Sequence, residues 1–295
     1  MTEAEQDADQ GPVVQRALLV DALVRLRRES GRTQKQVSES LDWSQAKIIR
    51  IEGGKQSISR TDLEAMLRLY GAGEGETARR LVELNRYAGR EGWWGRYRAE
   101  GVPADDLRMV GYEAGASLIR QAQNAFVPAL LQTPEYTEAV IGLFRRGTDG
   151  ADAAVALCRE RQDRLGEGGR APRRIHVLDE AVIRRRVGAN EDPGIMPAQL
   201  RRLVAEAARD EVDIRVVPFG RGSHPGMRGP MTLLSFEGPL DDVLYLEGAG
   251  GADLVEDGET IAEYDRAFDE LLTEHALGER ESVALIEEAA VRMEG

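Results

Sequence analysis

Gln45, Ala46, Lys47 and Arg50 lie in one short stretch, and these side-chain types are the ones that read base edges in the major groove of DNA. Gln pairs bidentately with adenine, Arg or Lys with guanine, and the Ala methyl rests on a thymine methyl. Each good bidentate pair contributes about 1–3 kcal/mol of discrimination. The surrounding sequence predicts how they are presented. In Gln45–Glu52 the apolar residues Ile48 and Ile51 recur three apart and point inward, which leaves Gln45, Ala46, Lys47 and Arg50 outward. Ser44 is a suitable N-cap, and Gly53-Gly54 ends the helix.

The elements that position this helix are also legible. Thr33 caps a preceding short helix through Leu41, with Val37 and Leu41 four apart on one face, and Asp42-Trp43 forms the turn between the two. An earlier helix carries Leu19, Leu23 and Leu26, with Arg25, Arg27 and Arg28 near its end and Gly31 as its stop. Helical spacing at Arg60–Tyr70 and Glu76–Tyr87 completes a five-helix bundle. Two short helices joined by a tight turn, the second showing Gln, Lys and Arg, suit a major groove that admits one helix.

The overall charge opposes that reading until it is resolved along the chain. With 39 Lys+Arg against 52 Asp+Glu in 295 residues, the net charge is −13, and polyphosphate repels an acidic protein. Residues 1–12 carry four acids and no base and read as a disordered acidic tail. Residues 13–98 hold 17 basic against 11 acidic residues, a net +6, and residues 99–295 hold 22 against 37, a net −15. The Gly and Pro of Glu100–Asp106 mark the boundary between the last two. The average hides a basic module.

The module resembles a known family. Thr33-Gln34, Val37, Leu41, Ser44, Ile48, Arg50-Ile51-Glu52 and Gly54-Lys55 are similar, over about 60 residues, to the helix-turn-helix of Cro and lambda-repressor-like (XRE) regulators. The resemblance implies base contacts from Gln45, Ala46, Lys47 and Arg50, and phosphate contacts from Thr33, Gln34, Ser44 and Lys55. It also implies a buried, structural ion pair between Arg27 and Glu52. Three positions depart from the pattern: Ser38 stands where Ala is usual, Asp42 where Gly is usual, and Ile49 where a polar residue faces DNA or solvent. Ser38 still permits close helix approach, and Asp42 tolerates a left-handed backbone better than most residues. Ile49 either touches a thymine methyl or packs on a neighbour.

Past the boundary the period changes. Helices are expected at Tyr112–Asn124, Pro134–Phe144, Ala151–Leu165 and Pro197–Ala208, and strands at Arg174–Leu178, Val212–Val217, Met231–Phe236 and Asp242–Leu246. Tyr264–His275 and Ser282–Met293 read as closing helices. The fold class is therefore an all-α, five-helix head followed by an α+β C-terminal domain. Phe126–Tyr136, Arg159-Glu160-Arg161-Gln162, Leu178-Asp179-Glu180-Ala181, Val217-Pro218-Phe219 and Tyr245-Leu246-Glu247 resemble the C-terminal domain of actinobacterial WhiJ-like regulators. That resemblance implies control by a small partner protein encoded nearby, an antitoxin-like arrangement.

Other chemistry finds little support. One cysteine, Cys158, and three histidines exclude a disulfide framework and argue against a zinc site. Cys158 lies in an amphipathic helical pattern and reads as a small buried apolar residue. Asp179 and Glu180 are adjacent, so their carboxylates diverge, which is poor geometry for paired acid–base work. The Gly-rich segment around His224 lacks the Gly-Lys-Ser/Thr ending of a phosphate loop. Trp93 and Trp94 read either as hydrophobic packing or, with His224, as a pocket for a small-molecule effector. The start of the chain lacks the basic and apolar regions of a leader, and no stretch approaches the ~20 apolar residues that span a bilayer. The expectation is a cytoplasmic, non-enzymatic regulator without a cofactor or metal. It binds operator DNA as a homodimer on an inverted repeat through Ser44–Glu52, because one helix reads only a few base pairs. The alternative is an antitoxin-like interaction module that uses DNA binding for autoregulation.

Overall fold

Apolar residues at helical spacing produce α1 (Gly11–Glu29), α2 (Gln34–Leu41), α3 (Gln45–Glu52), α4 (Arg60–Leu69) and α5 (Gly75–Ala88). The computed structural model describes residues 11–145, 150–165, 171–248 and 251–294. It divides into two units, Met1–Gly95 with Glu237–Leu240 and Arg96–Phe236 with Asp241–Gly295. The acidic tail expected over residues 1–12 lies outside the described residues except for Gly11 and Pro12, which open α1 instead. Pro is tolerated there because the first turn of a helix has no acceptor for its missing N–H. In the head, Val14, Leu18, Leu19 and Leu23 of α1 are buried together with Val37, Ile48, Ile51, Leu63, Met66 and Leu67. Each such side chain contributes about 1.5–3 kcal/mol on full burial.

The second unit opens with α6 (Ala104–Glu113) and is built on a six-stranded mixed sheet. Its strands are β1 (Leu118–Gln123), β2 (Arg173–Asp179), β3 (Val212–Val217), β4 (Met231–Ser235), β5 (Val243–Gly248) and β6 (Gly251–Val255), in the order β3-β2-β1-β4-β5-β6. β1 is central: it pairs in parallel with β2, from Leu118↔Arg173 to Gln123↔Leu178, and antiparallel with β4. Helices α7 (Pro134–Arg145), α8 (Ala151–Arg164), α9 (Glu180–Arg184), α10 (Ile195–Glu206), α11 (Gly258–Glu270) and α12 (Glu279–Glu294) complete it. Leu178, Ile214 and Val216 face a core with Leu200, Leu203 and Ile286 of α10 and α12. Ala122, Val177, Leu233 and Leu244 face the opposite core with Ile261 and Phe268 of α11. The all-α head and the α+β second unit are as the sequence implied.

Two elements differ. The helix expected over Tyr112–Asn124 is divided: α6 stops at Glu113, and the rest is β1. Leu118–Gln123 lacks strand alternation because both of its faces are buried, with Gln121 and Gln123 on one and Ala122 on the other. Its pairing partners come from far along the chain, and they override local helical propensity. The edge strand β6 was not anticipated; among the described strands it pairs with β5 alone.

The strand register aligns His176, Gln121, Thr232 and Tyr245 in one buried polar row across β2, β1, β4 and β5. Both ring nitrogens of His176 lack a hydrogen-bond partner. Burial, with some repulsion from Arg174, pushes its pKa down to about 3 from the usual 6.5. The unfolded chain therefore takes up a proton near pH 6.5 that the folded chain refuses until about pH 3. Stability is fully present above 6.5 and is lost as pH falls through that window, at about 1.4 kcal/mol per unit. Urea unfolding of the second unit at pH 7 and pH 5 should show the wild type losing about 2 kcal/mol more than His176→Leu. Equal losses in the two proteins would remove His176 as the source.

Candidate nucleic-acid interface

The recognition helix is held by caps and by one buried carboxylate. Thr33 closes a capping box on α2: its side chain accepts from the Gln36 N–H at 3.2 Å, and its own N–H donates to Gln36 Oε1 at 2.9 Å. Asp42 then takes a left-handed conformation, φ 54°, the single positive-φ residue other than glycine among the described residues. That reversal lets Ser44 cap α3, where its hydroxyl accepts from the Lys47 N–H at 3.2 Å. Ser38 is buried and donates to the Lys35 carbonyl. Its small side chain allows the two helices to approach.

Glu52 is buried at the end of α3 and satisfied from two directions. Arg27 Nε donates to Oε1 at 2.7 Å, and Gln34 Nε2 donates to Oε2 at 2.9 Å. Arg27 also donates to the Arg32 carbonyl at 2.9 Å. One carboxylate thus ties α1, α2 and α3 together and sets the angle at which α3 is presented. Truncating one member of such a buried pair typically costs about 3–5 kcal/mol, because the other charge is left without compensation.

The residues singled out for base contact fall into two groups. Gln45, Ala46 and Arg50 are exposed along α3. Arg50 Nε donates to Gln56 Oε1 at 2.9 Å, a neutral partner that keeps the guanidinium aimed without cancelling its charge. Lys47 is half-buried: its Nζ donates to Asp62 Oδ2 at 2.9 Å and sits 3.6 Å above the Trp43 ring. That ammonium braces α3 against α4 in the free protein. Ile49 is 49% exposed, so it does not pack into the bundle core.

Among the residues expected at phosphate, Thr33, Ser44 and Lys55 are exposed, while Gln34 is half-buried with its amide committed to Glu52. The Thr33 hydroxyl donates to Gln36 Oε1 as well as accepting as a cap, whereas the Ser44 hydroxyl only accepts and keeps its O–H, so the donors available to an anion there are that O–H, the backbone N–H groups of the two helix N-termini and the Lys55 ammonium.

The residues expected at an effector pocket fall in both units. Trp93 and Trp94 pack edge-to-face with ring centroids 5.5 Å apart, and Trp94 is buried. A Cβ at Gly92 would lie 2.4 Å from the Trp94 ring, so only glycine admits this packing. His224 lines a cavity of about 330 Å³ in the second unit, with Asn124, Asp179, Phe219 and Met227. Its Nε2 is 3.0 Å from Asp179 Oδ2. Asp179 Oδ1 accepts from the Ala181 N–H, and Glu180 accepts from the Phe219 N–H and from Arg184. Both carboxylates are engaged in holding the loop after β3. Cys158 is buried, and desolvation pushes its thiol pKa up. No group of three or more His, Cys, Asp or Glu able to hold a metal occurs among the described residues, and no described helix is long and apolar enough to cross a membrane.

A family model described as a helix-turn-helix domain matches residues 18–81. A second, described as a domain of unknown function (DUF5753), matches residues 107–288, more than half of the chain. No curated protein and no solved structure matches the chain. The helix-turn-helix match covers the whole of α2 and α3, with the exposed Gln45, Ala46 and Arg50 on α3. The head is a DNA-binding helix-turn-helix, and the chain is a DNA-binding regulator.

The turn between the helices supplies a direct test. A left-handed residue other than glycine costs roughly 1–2 kcal/mol, less for Asp, so Asp42→Gly should leave the melting temperature of the head unchanged or slightly raised. Asp42→Val should lower its stability by about 1–2 kcal/mol. Equal melting temperatures for the Gly and Val variants would mean that the turn does not need its left-handed residue.

Proposed function

The chain belongs to the DUF5753 family, and on that footing we propose that it is a transcriptional regulator of the XRE type that binds a specific operator as a homodimer. The observation that carries this reading is α3: capped by Ser44, anchored by Glu52, and exposing Gln45, Ala46 and Arg50 side by side. Arg50 reads guanine and Gln45 reads adenine, the methyls of Ala46 and Ile49 meet thymine methyls, and Lys47 joins them by exchanging Asp62 for DNA. Lys55 and the N–H groups at the starts of α2 and α3 hold phosphate. A single helix specifies only a few base pairs, so two-fold symmetry on an inverted repeat supplies the rest of the site.

The DUF5753 portion, net −15 over residues 99–295, receives the signal and joins the two copies. Its acidity lowers non-specific affinity for DNA, which puts more of the selectivity on α3. A second reading rests on the WhiJ-like segments: this portion binds a small partner protein encoded nearby, as an antitoxin does, and DNA binding serves autoregulation. Co-purification of a stoichiometric complex with the neighbouring gene product would favour it.

Binding to the promoter of its own gene, measured as a function of salt, tests the first reading. Arg50→Ala should relax specificity at one base position by about 1–3 kcal/mol, whereas Lys55→Ala should weaken all sequences alike and reduce the salt slope by about 1. If both variants bind as the wild type does, α3 is not the reading element.

A further inference from the structure

The second unit contains a small cavity of about 170 Å³ that its acidic composition does not suggest. Arg174, Arg202 and Arg209 line it with Gln162, against two carboxylates, Asp163 and Glu206. Its size is below the ~300–1,000 Å³ of pockets that take drug-sized ligands, so it suits a group of only a few heavy atoms.

The arginines are incompletely satisfied. Arg174 lies on β2, two residues before His176 and on the same face, and is only 3% exposed. Its Nε has no hydrogen-bond partner, and neither has the Nε of Arg202. The ion pairs of these two side chains are long: Arg174 Nη2 is 3.4 Å from Glu211, and Arg202 Nη2 is 3.9 Å from Glu206. Arg209 takes the closer contact with Glu211, at 2.9 Å. Gln162 fixes the geometry, since its Oε1 accepts from Arg202 Nη2 at 3.0 Å while its Nε2 donates to the carbonyls of Ala129 and Gln132. Burial, together with repulsion from Arg209, holds the Arg174 guanidinium below its usual basicity. With Glu211 counted, three guanidinium groups stand against three carboxylates here, yet the buried Nε–H groups of Arg174 and Arg202 are unused beside a polar cavity, and a buried donor without an acceptor leaves capacity for one more.

We propose that this cavity binds a small oxyanion, a phosphate group or a short carboxylate, gripped by Arg174 and Arg202. The planar guanidinium fork matches both chemistries. The proposal rests on the reading of this portion as the signal-receiving part of a regulator, and it identifies the chemical class of the signal.

Isothermal titration of the full chain, without DNA, tests it with inorganic phosphate and with malonate, ionic strength being balanced with chloride. Saturable binding of either anion is expected, phosphate alone or malonate alone identifying which chemistry the site takes. Arg202→Gln and Arg174→Gln should each weaken it at least about tenfold, the loss of one charge-assisted hydrogen bond. Arg228→Gln, at an exposed pair with Glu263, should leave binding unchanged. Arg202 is 28% exposed, so its variant keeps the test intact if Arg174→Gln does not fold. Heats indistinguishable from chloride, or wild-type affinity in Arg202→Gln, would overturn the proposal. Because no DNA is present, failure of operator binding in a separate assay leaves this outcome unaffected.

Discussion

The Glu52 carboxylate is the contact on which the arrangement of the head depends. It is buried, and a buried carboxylate without hydrogen bonds is expensive enough to unfold its surroundings. Arg27 and Gln34 satisfy it from α1 and α2, so three helices can pack only in the relation that brings both donors to it. The apolar residues make the bundle compact; the carboxylate selects one compact arrangement. The second unit repeats the device with Glu113, buried at the end of α6, which accepts from Arg161 Nε at 2.8 Å and Nη2 at 2.6 Å. That bidentate pair joins α6 to α8.

The head also divides its polar residues between bracing and display. Lys47 and Gln34 have the side-chain types of DNA contacts, yet both are engaged within the fold, with Asp62 and Glu52. Arg50 is also engaged, but by a neutral amide, Gln56. The difference matters electrostatically. A cation paired with a carboxylate must give up that partner before it meets a phosphate or a base, whereas one positioned by an amide keeps its full charge for DNA. The +6 of residues 13–98 therefore overstates the charge immediately free at α3.

The pattern of legibility follows the range of the interactions. Caps act over three or four residues, so Thr33, Ser44 and the breaks at Asp42 and Gly53 could be read directly, and the structure places caps and turns there. Strands with apolar alternation or β-branched runs, such as Val212–Val217, were equally visible. β1 was not, because Leu118–Gln123 is a strand only through ladders to β2 and β4. The segments that resemble WhiJ-like regulators also acquire their meaning from packing. Tyr136 accepts from the Val127 N–H, Gln132 donates to the Val127 carbonyl, and Gln162 spans two carbonyls, so these side chains tie loops to helices.

The sequence by itself determined the two-part organisation, the helix-turn-helix and the face of α3 that carries Gln45, Ala46 and Arg50. Periodicity, capping and segmental charge are local quantities, and they suffice for that much. Only the tertiary structure decided that Lys47 braces α4, that Trp94 is packed against Gly92, and that Arg174 and Arg202 meet beside a cavity with N–H groups unused. Those facts depend on which distant residues share a volume from which water is excluded. There a charge or a donor is either matched or left wanting, and no spacing along the chain records which.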